Sequence, residues 1–170
     1  METLKALALR KSTRSFKSEQ IKKEELNEII RAGRLAPIAG GVYQNVHLTV
    51  IQKKELIDRI NDVARIATGN DNISANYGAP TFIVVSVKAI RGAEKANAGC
   101  VVENMLLAAT DLGLGSVYTW TINFIHDNAD VMSSLGLPAD FLPVSGVAIG
   151  YPVEAITVEN EPRLMVVDYK

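Results

Sequence analysis

One cysteine, two histidines and no long apolar run set the first limits on this chain of 170 residues. A lone Cys100 excludes a disulfide framework and any CxxC metal site built by one chain. No stretch reaches 18 apolar residues without a charge, so no segment reads as a membrane-spanning helix. Met1–Arg14 is interrupted by Lys5, Arg10 and Lys11 and lacks the apolar centre of a signal peptide, which makes a cytoplasmic protein the expectation. Excess charge of one sign is missing too. Lys+Arg 18 against Asp+Glu 19 leaves −1, without the basic face that non-specific nucleic-acid binding requires. What is plentiful is apolar material, 48% of the residues, enough to bury a core in a single domain over residues 1–170. No repeat, linker or low-complexity tract divides it.

Several catalytic patterns are also absent. Ser145 has Pro143 two positions before it, so there is no GxSxG elbow. Gly113-Leu114-Gly115 continues as Ser-Val-Tyr, which is not a dinucleotide fingerprint, and no phosphate loop of the GxxxxGK[ST] type occurs. His47 and His126 have no carboxylate or second histidine at ligand spacing and read as ordinary surface or core residues. Cys100, beside Val101, reads as a packed small hydrophobe rather than a nucleophile.

Charge is unevenly placed along the chain. Residues 1–34 carry nine bases and five acids, a balance of +4, whereas residues 120–170 carry two bases and seven acids, −5. The basic end is where an anionic ligand is sought; a chance difference between solvated helix faces is the alternative.

Periodicity predicts a short helix over Thr3–Arg10 and a stronger one over Lys23–Ala36, whose Leu26, Ile29, Ile30 and Gly33 form one stripe closed by Pro37. Ala39-Gly40-Gly41 marks a loop where backbone can approach a ligand. A strand over His47–Ile51 and an amphipathic helix over Lys53–Ala67 follow, then polar turns over Thr68–Gly78 ending in a helical turn. Thr81–Val87 reads as a strand covered on both faces. Ala93–Leu112 spreads apolar residues over most of its circumference and is expected to be a central, largely buried helix. Strands over Gly115–Thr119 and Val144–Ile149 flank a short helix over Asn128–Leu135, and residues 153–170 are irregular with one β-branched patch at Val166–Val167. This order fits an α+β or mixed α/β three-layer domain.

The segment with most chemistry is Arg10-Lys11-Ser12-Thr13-Arg14-Ser15-Phe16, three cations and three hydroxyls within six residues. Guanidinium forks and hydroxyl donors suit phosphate oxygens. The alternative is that Arg10 and Lys11 only complement the negative end of the preceding helix. Arg163 stands nearly alone among acids, between Pro162 and Leu164.

Taken in order, these residues resemble the FMN-dependent nitroreductase family over nearly the whole chain. Arg10-Lys11-Ser12-Thr13-Arg14-Ser15-Phe16 is similar to its opening R-[RK]-S-x-R-x-F element, and Ile21–Leu35 to the helix leading to Ala36-Pro37. Ala39-Gly40 and Gln44 resemble the A-G-N-x-Q-P-W loop. Ala108-Ala109-x-x-Leu112-Gly113-Leu114-Gly115-Ser116 and Ala148-Ile149-Gly150-Tyr151-Pro152 match two further segments, with Pro162-Arg163 at the place of a terminal basic clamp.

The resemblance implies an α+β, three-layer α/β/α fold with a mixed sheet of four or five strands, wrapped by helices around a long buried helix. It implies a homodimer holding FMN at the subunit interface, with NADH or NADPH as electron donor and a small nitroaromatic or quinone-type molecule as acceptor. Arg10 and Arg163 would neutralise the phosphate with help from Lys11. Ser12 and Arg14 would reach the pyrimidine edge of the flavin. Ala39, Gly40, Gly41 and Gln44 would approach from the other subunit. Leu114, Gly115 and Ser116 would lie along the ring, and Asn72, or else Asn70, would stand near the pyrimidine. A reduced flavin gathers negative charge at N1 and the C2 carbonyl, so the Arg14 guanidinium would stabilise it. Hydride transfer needs positioning rather than a side-chain nucleophile, which agrees with the missing triad and metal set.

Departures from the pattern shape the expectation. Ile38 and Gly41 replace the family's Ser and Asn, Asn45-Val46 replaces Pro-Trp, and Lys88 to Ala93 is too short for a helical lid. Phe124, Trp120 or Tyr118 would then cover the flavin in part, or belong to the core. Three other readings stand beside this one: another reaction of the same fold such as dehalogenation or flavin fragmentation, a flavin carrier with little turnover, and an interaction module without cofactor.

Overall fold

The computed structural model describes residues 2–88 and 92–170. Its centre is β2 (Thr81–Lys88), buried from Thr81 to Val87. Alternation sends Ile83, Val85 and Val87 to one face and Phe82 and Val84 to the other, so a core forms on each side of the sheet. β1 (Val46–Ile51), β3 (Gly115–Thr119) and β4 (Phe141–Gly150) complete a four-stranded sheet in the order β1-β2-β4-β3. All three strand pairings are antiparallel, and the mixed character expected of the sheet is confined to an isolated parallel bridge, Ser12 to Ser116. The reason is topological. β2 and β3 run the same way, but β4 enters between them and pairs antiparallel with both.

On one face lie α2 (Lys23–Arg34) and α4 (Glu94–Asp111), the latter also touching α1 (Thr3–Leu9). α3 (Lys54–Thr68) and α5 (Ala129–Ser134) cover the other, which makes three layers. α2 carries Glu24 and Glu25 in its first turn and Arg31 and Arg34 in its last, complementing its dipole. The Glu25 carboxylate accepts from the Lys22 backbone N–H at 2.8 Å and from the Tyr151 hydroxyl at 2.7 Å, tying the exit of β4 to this helix start. That hydrogen bond, with desolvation and the nearby charges of Glu25 and Glu19 behind it, holds the Tyr151 phenol above its ordinary range.

α4 departs from expectation. Eight residues, among them Val101, Val102, Met105 and Leu106, are buried, yet Lys95, Ala96, Gly99, Glu103 and Asp111 leave the opposite side open. In one chain the helix is covered on one side only, because just one sheet face packs against it. Its end forms a Schellman motif, with Gly113 N donating to Thr110 O at 3.0 Å and Leu114 N to Ala109 O at 2.8 Å, and this turn launches β3.

β4 begins three residues earlier than the pattern suggests. Phe141–Pro143 pair with Ser86–Lys88 beyond a bulge between Val85 and Ser86, an irregularity that accommodates a proline lacking an N–H. Residues 70–78 form turns and bends without the expected helical turn, because Asn70, Asn76 and Ser74 side chains take over the backbone pairing. Most of the connection from Lys88 to Ala93, residues 89–91, lies outside the described residues. Among the described residues no helix is long and apolar enough to cross a membrane.

Candidate functional site

The Arg10–Phe16 segment leaves α1 and runs across the end of the sheet. Thr13 N donates to Ser116 O on β3 at 2.9 Å, Lys17 N to Tyr151 O at 2.9 Å, and Val153 N to Ser15 O at 3.2 Å. Side-chain-free positions on both strands allow this approach. A Cβ at Gly115 would lie 2.7 Å from Thr13 Cγ2, and one at Gly150 would lie 3.1 Å from Phe16 Cδ1. The two glycines thus act through close contact, fixing the basic segment to β3 and β4.

The C-terminal tail returns to the same place. Asn160 N and Asn160 Nδ2 both donate to Ala8 O at 2.8 Å, and Nδ2 also donates to Arg10 O at 2.8 Å. Ala8 is among the last residues of α1, whose final carbonyls lack intrahelical partners, so Asn160 caps that end with a residue 150 positions away. The consequence is a cleft of ≈ 820 Å³ in which Arg10, Lys11, Ser12 and Arg14 meet Arg163, with Glu161 the one acid among its lining residues. Its volume lies within the ordinary range of small-molecule sites. An adjoining cleft of ≈ 310 Å³ joins Lys11, Ser12, Thr13, Arg14 and Ser15 to Glu154. Arg10 Nε also faces Glu103 Oε1 of α4 at 3.7 Å, which leaves part of its fork for a ligand.

The remaining candidates are distributed differently. Ala39, Gly40 and Gly41 form an exposed turn with φ of 70° and 67° at the two glycines. The turn is held by Ala39 N donating to Oδ1 of the buried Asn97 at 2.9 Å. Gln44 lines a separate cleft of ≈ 490 Å³ between α2 and β1, with Tyr43 and Val101 among its neighbours. The Leu114 side chain belongs to the core at 1% exposure, and Ser116 is buried with Gly115 under the 12–13 segment. In one chain none of these three lines the basic cleft. Asn72 and Asn70 sit in an exposed turn, where Asn72 N donates to Asn70 Oδ1; the polar ladder of that turn, not the cleft, sets their place. Trp120 and Tyr118 are about half exposed, and Trp120 packs edge-on against Phe124 at 5.5 Å. None of the three aromatics lines the basic cleft.

Three positions with a part in this geometry escape sequence patterns. Asn160 and Asn97 act through backbone atoms remote in sequence, and no local spacing announces them. Tyr77 carries the Arg14 guanidinium over its ring, 5.6 Å from the centroid. Its one signal is the Asn-Tyr-Gly context of a turn.

Comparison with known proteins agrees with this architecture. The model of the Nitroreductase family matches residues 7–151. An FMN reductase [NAD(P)H] of Bacillus subtilis is 29% identical over 188 aligned positions, covering 96% of this chain and 70% of that protein. An NADPH-flavin oxidoreductase of Vibrio harveyi is 27% identical, with 95% and 70% covered. Among solved structures, a nitroreductase with bound FMN from Bacteroides fragilis superposes with a TM-score of 0.84 at 27% identity, covering 99% of this chain and all of that one. A basic segment locked to the sheet, a three-layer fold shared end to end with such a structure, and a family match that takes in both α1's exit and β4 leave one assignment: the chain belongs to the nitroreductase family.

Proposed function

We propose that this chain works as a homodimer, passing reducing equivalents from NADH or NADPH to flat nitroaromatic or quinone-type acceptors in a ping-pong cycle. The broader class follows from the family and its members: an NAD(P)H-dependent flavin oxidoreductase using FMN. When bound, FMN supplies the centre that takes up and gives back hydride. The donor set of the basic cleft suits it, since the three guanidinium groups of Arg10, Arg14 and Arg163, an ammonium and a serine hydroxyl converge there. That convergence of Arg10 and Arg163 carries the reading.

In this assignment Arg10 and Arg163 hold the phosphate, with Lys11 adding charge. Ser12 and Arg14 face the polar edge of the ring, where the guanidinium stabilises the negative charge of the reduced form. Gln44 opens on another cleft and the Ala39–Gly41 turn lies outside the basic one, so they contribute to the same cofactor as part of a second subunit. Two exposed surfaces support such a dimer. One is the open side of α4, and the other is the tail, where Leu164, Met165, Val166 and Tyr169 stand almost fully exposed. Leu114, Gly115, Ser116 and Asn72 are proposed to take part only where their backbone or a dimeric neighbour brings them to the ring.

The test is direct. The purified protein should be yellow, release FMN on heating, and bleach rapidly when mixed anaerobically with NADH or NADPH. Persistent yellow would make it a carrier, and a colourless protein that takes up no FMN would overturn the reading. Arg14→Ala should keep FMN but slow its reduction, read by stopped-flow absorbance; unchanged rates would remove the role given to Arg14.

Asn160→Ala offers a separate check. It removes two exposed side-chain hydrogen bonds, each worth about 0.5–1 kcal/mol, while leaving both arginines in place. FMN should bind about five- to thirtyfold more weakly as the tail loosens, with a fall of about 2–8 °C in melting temperature.

A further inference from the structure

We propose that Tyr77 is a positioning residue for Arg14: its ring forms a fixed platform that holds the guanidinium toward the basic cleft. The inference rests on the cofactor role given to Arg14 above and extends it to a residue without a cofactor contact of its own.

Three observations lead to it. The first is the ion–ring contact itself, with Arg14 Cζ 5.6 Å from the Tyr77 centroid. A guanidinium over an aromatic face is drawn to the negative centre of the ring and can stack on it. Arg14 is exposed and lines both basic clefts, so without such a platform its long side chain would sample many rotamers. The second is backbone conformation. Tyr77 has φ of 50°, one of two non-glycine residues with positive φ among those described. Residues with a Cβ rarely adopt this region unless the surroundings impose it, and such positions cluster where a side chain must point in a particular direction.

The third observation shows what imposes it. Tyr77 N donates to Ser74 Oγ at 2.8 Å, and Ser74 Oγ donates to Asn76 Oδ1 at 3.2 Å. Asn61 of α3 donates through Nδ2 to the same Asn76 oxygen at 3.1 Å, and its own Oδ1 accepts from Ala75 N at 2.7 Å. Asn76 closes the turn by donating to Ala79 O at 2.7 Å, while Ala79 N returns a bond to Asn76 O at 2.9 Å. Asn61 and Asn76 are both buried, so this ladder is shielded from water and holds its geometry. The half-buried Tyr77 ring packs against the α3-side core, which fixes the platform from below. A rigid helix thus sets the direction of an otherwise free arginine through one strained residue.

The test compares Tyr77→Phe, Tyr77→Leu, Arg14→Ala and the Tyr77→Leu/Arg14→Ala double variant in the full chain. In FMN-free protein, NMR should show ring-current-shifted Arg14 side-chain protons in the wild type and Tyr77→Phe, and their loss in Tyr77→Leu. FMN should bind about three- to tenfold more weakly to Tyr77→Leu, as the loss of a cation–π contact predicts. Tyr77→Phe should match the wild type, and Tyr77→Leu should add nothing once Arg14 is alanine. Tyr77→Met replaces the leucine variant if that one fails to fold. An unshifted Arg14 in the wild type, or equal weakening with and without Arg14, would overturn the proposal. Should Arg14→Ala leave FMN affinity and reduction potential untouched while the ring-current shift is present, the cofactor role of Arg14 fails and the contact is structural only.

Discussion

Replacing Arg10 and Arg163 together by alanine is expected to give a folded but colourless protein. Each guanidinium can make charge-assisted hydrogen bonds to a phosphate, worth about 1.5–3 kcal/mol net. Losing both should therefore raise the FMN dissociation constant by about 10²- to 10⁴-fold. Little else depends on them. Arg163 is exposed in the tail, and the ion pair of Arg10 with Glu103 at 3.7 Å is half open to water. Exposed pairs of this kind contribute at most about 1 kcal/mol. Circular-dichroism melting should thus coincide with the wild type, while absorbance near the flavin bands after desalting should vanish. A double variant that stays yellow would show that the anion site lies elsewhere.

Gly146→Ala should have the largest effect on stability of an alanine placed at any glycine of the sheet, Gly115, Gly146 or Gly150. The new Cβ would lie 2.5 Å from both Cε2 and Cζ of Phe82 and 3.0 Å from Thr119 Cγ2. Phe82 is fully buried in the α3-side core, so its ring cannot swing into solvent. Overpacking of this kind costs about 1–3 kcal/mol, and at this chain length that is a fall of about 2–12 °C in melting temperature. Adding Phe82→Leu should recover part of the loss, a non-additivity that reports direct contact. An unchanged melting temperature in Gly146→Ala would mean that the two strand faces pack more loosely than described.

Much of the fold was legible because it is local. The stripe Leu26, Ile29, Ile30, Gly33 lies within one helix, and Thr81–Val87 announces a doubly covered strand by its own run of apolar residues. The site was half legible. Arg10, Lys11, Ser12 and Arg14 stand out by clustering, whereas Arg163 has a role in the sequence only through the resemblance and joins that cluster in the fold because Asn160 caps α1 across 150 residues. The strand expected over Val144–Ile149 starts at Phe141 and contains Pro143, because the bulge beside Ser86 belongs to the pairing with β2 and no local pattern shows it. Asn72, placed near the flavin by the resemblance alone, sits in an exposed turn outside the basic cleft of one chain.

By itself, the amino-acid order determined the main helices and the cores of the strands, which residues are apolar enough to bury, and which cations were candidates for an anion. Periodicity and turn chemistry act over a few residues, so these features survive without knowledge of the rest. Tertiary structure alone decided the insertion of β4 between β2 and β3, the meeting of the two chain ends, the open side of α4 and the seat of Arg14 on Tyr77. Each of these joins segments far apart in the chain. Closing such loops costs entropy that no local pattern encodes, and only the packing of the whole core offsets it.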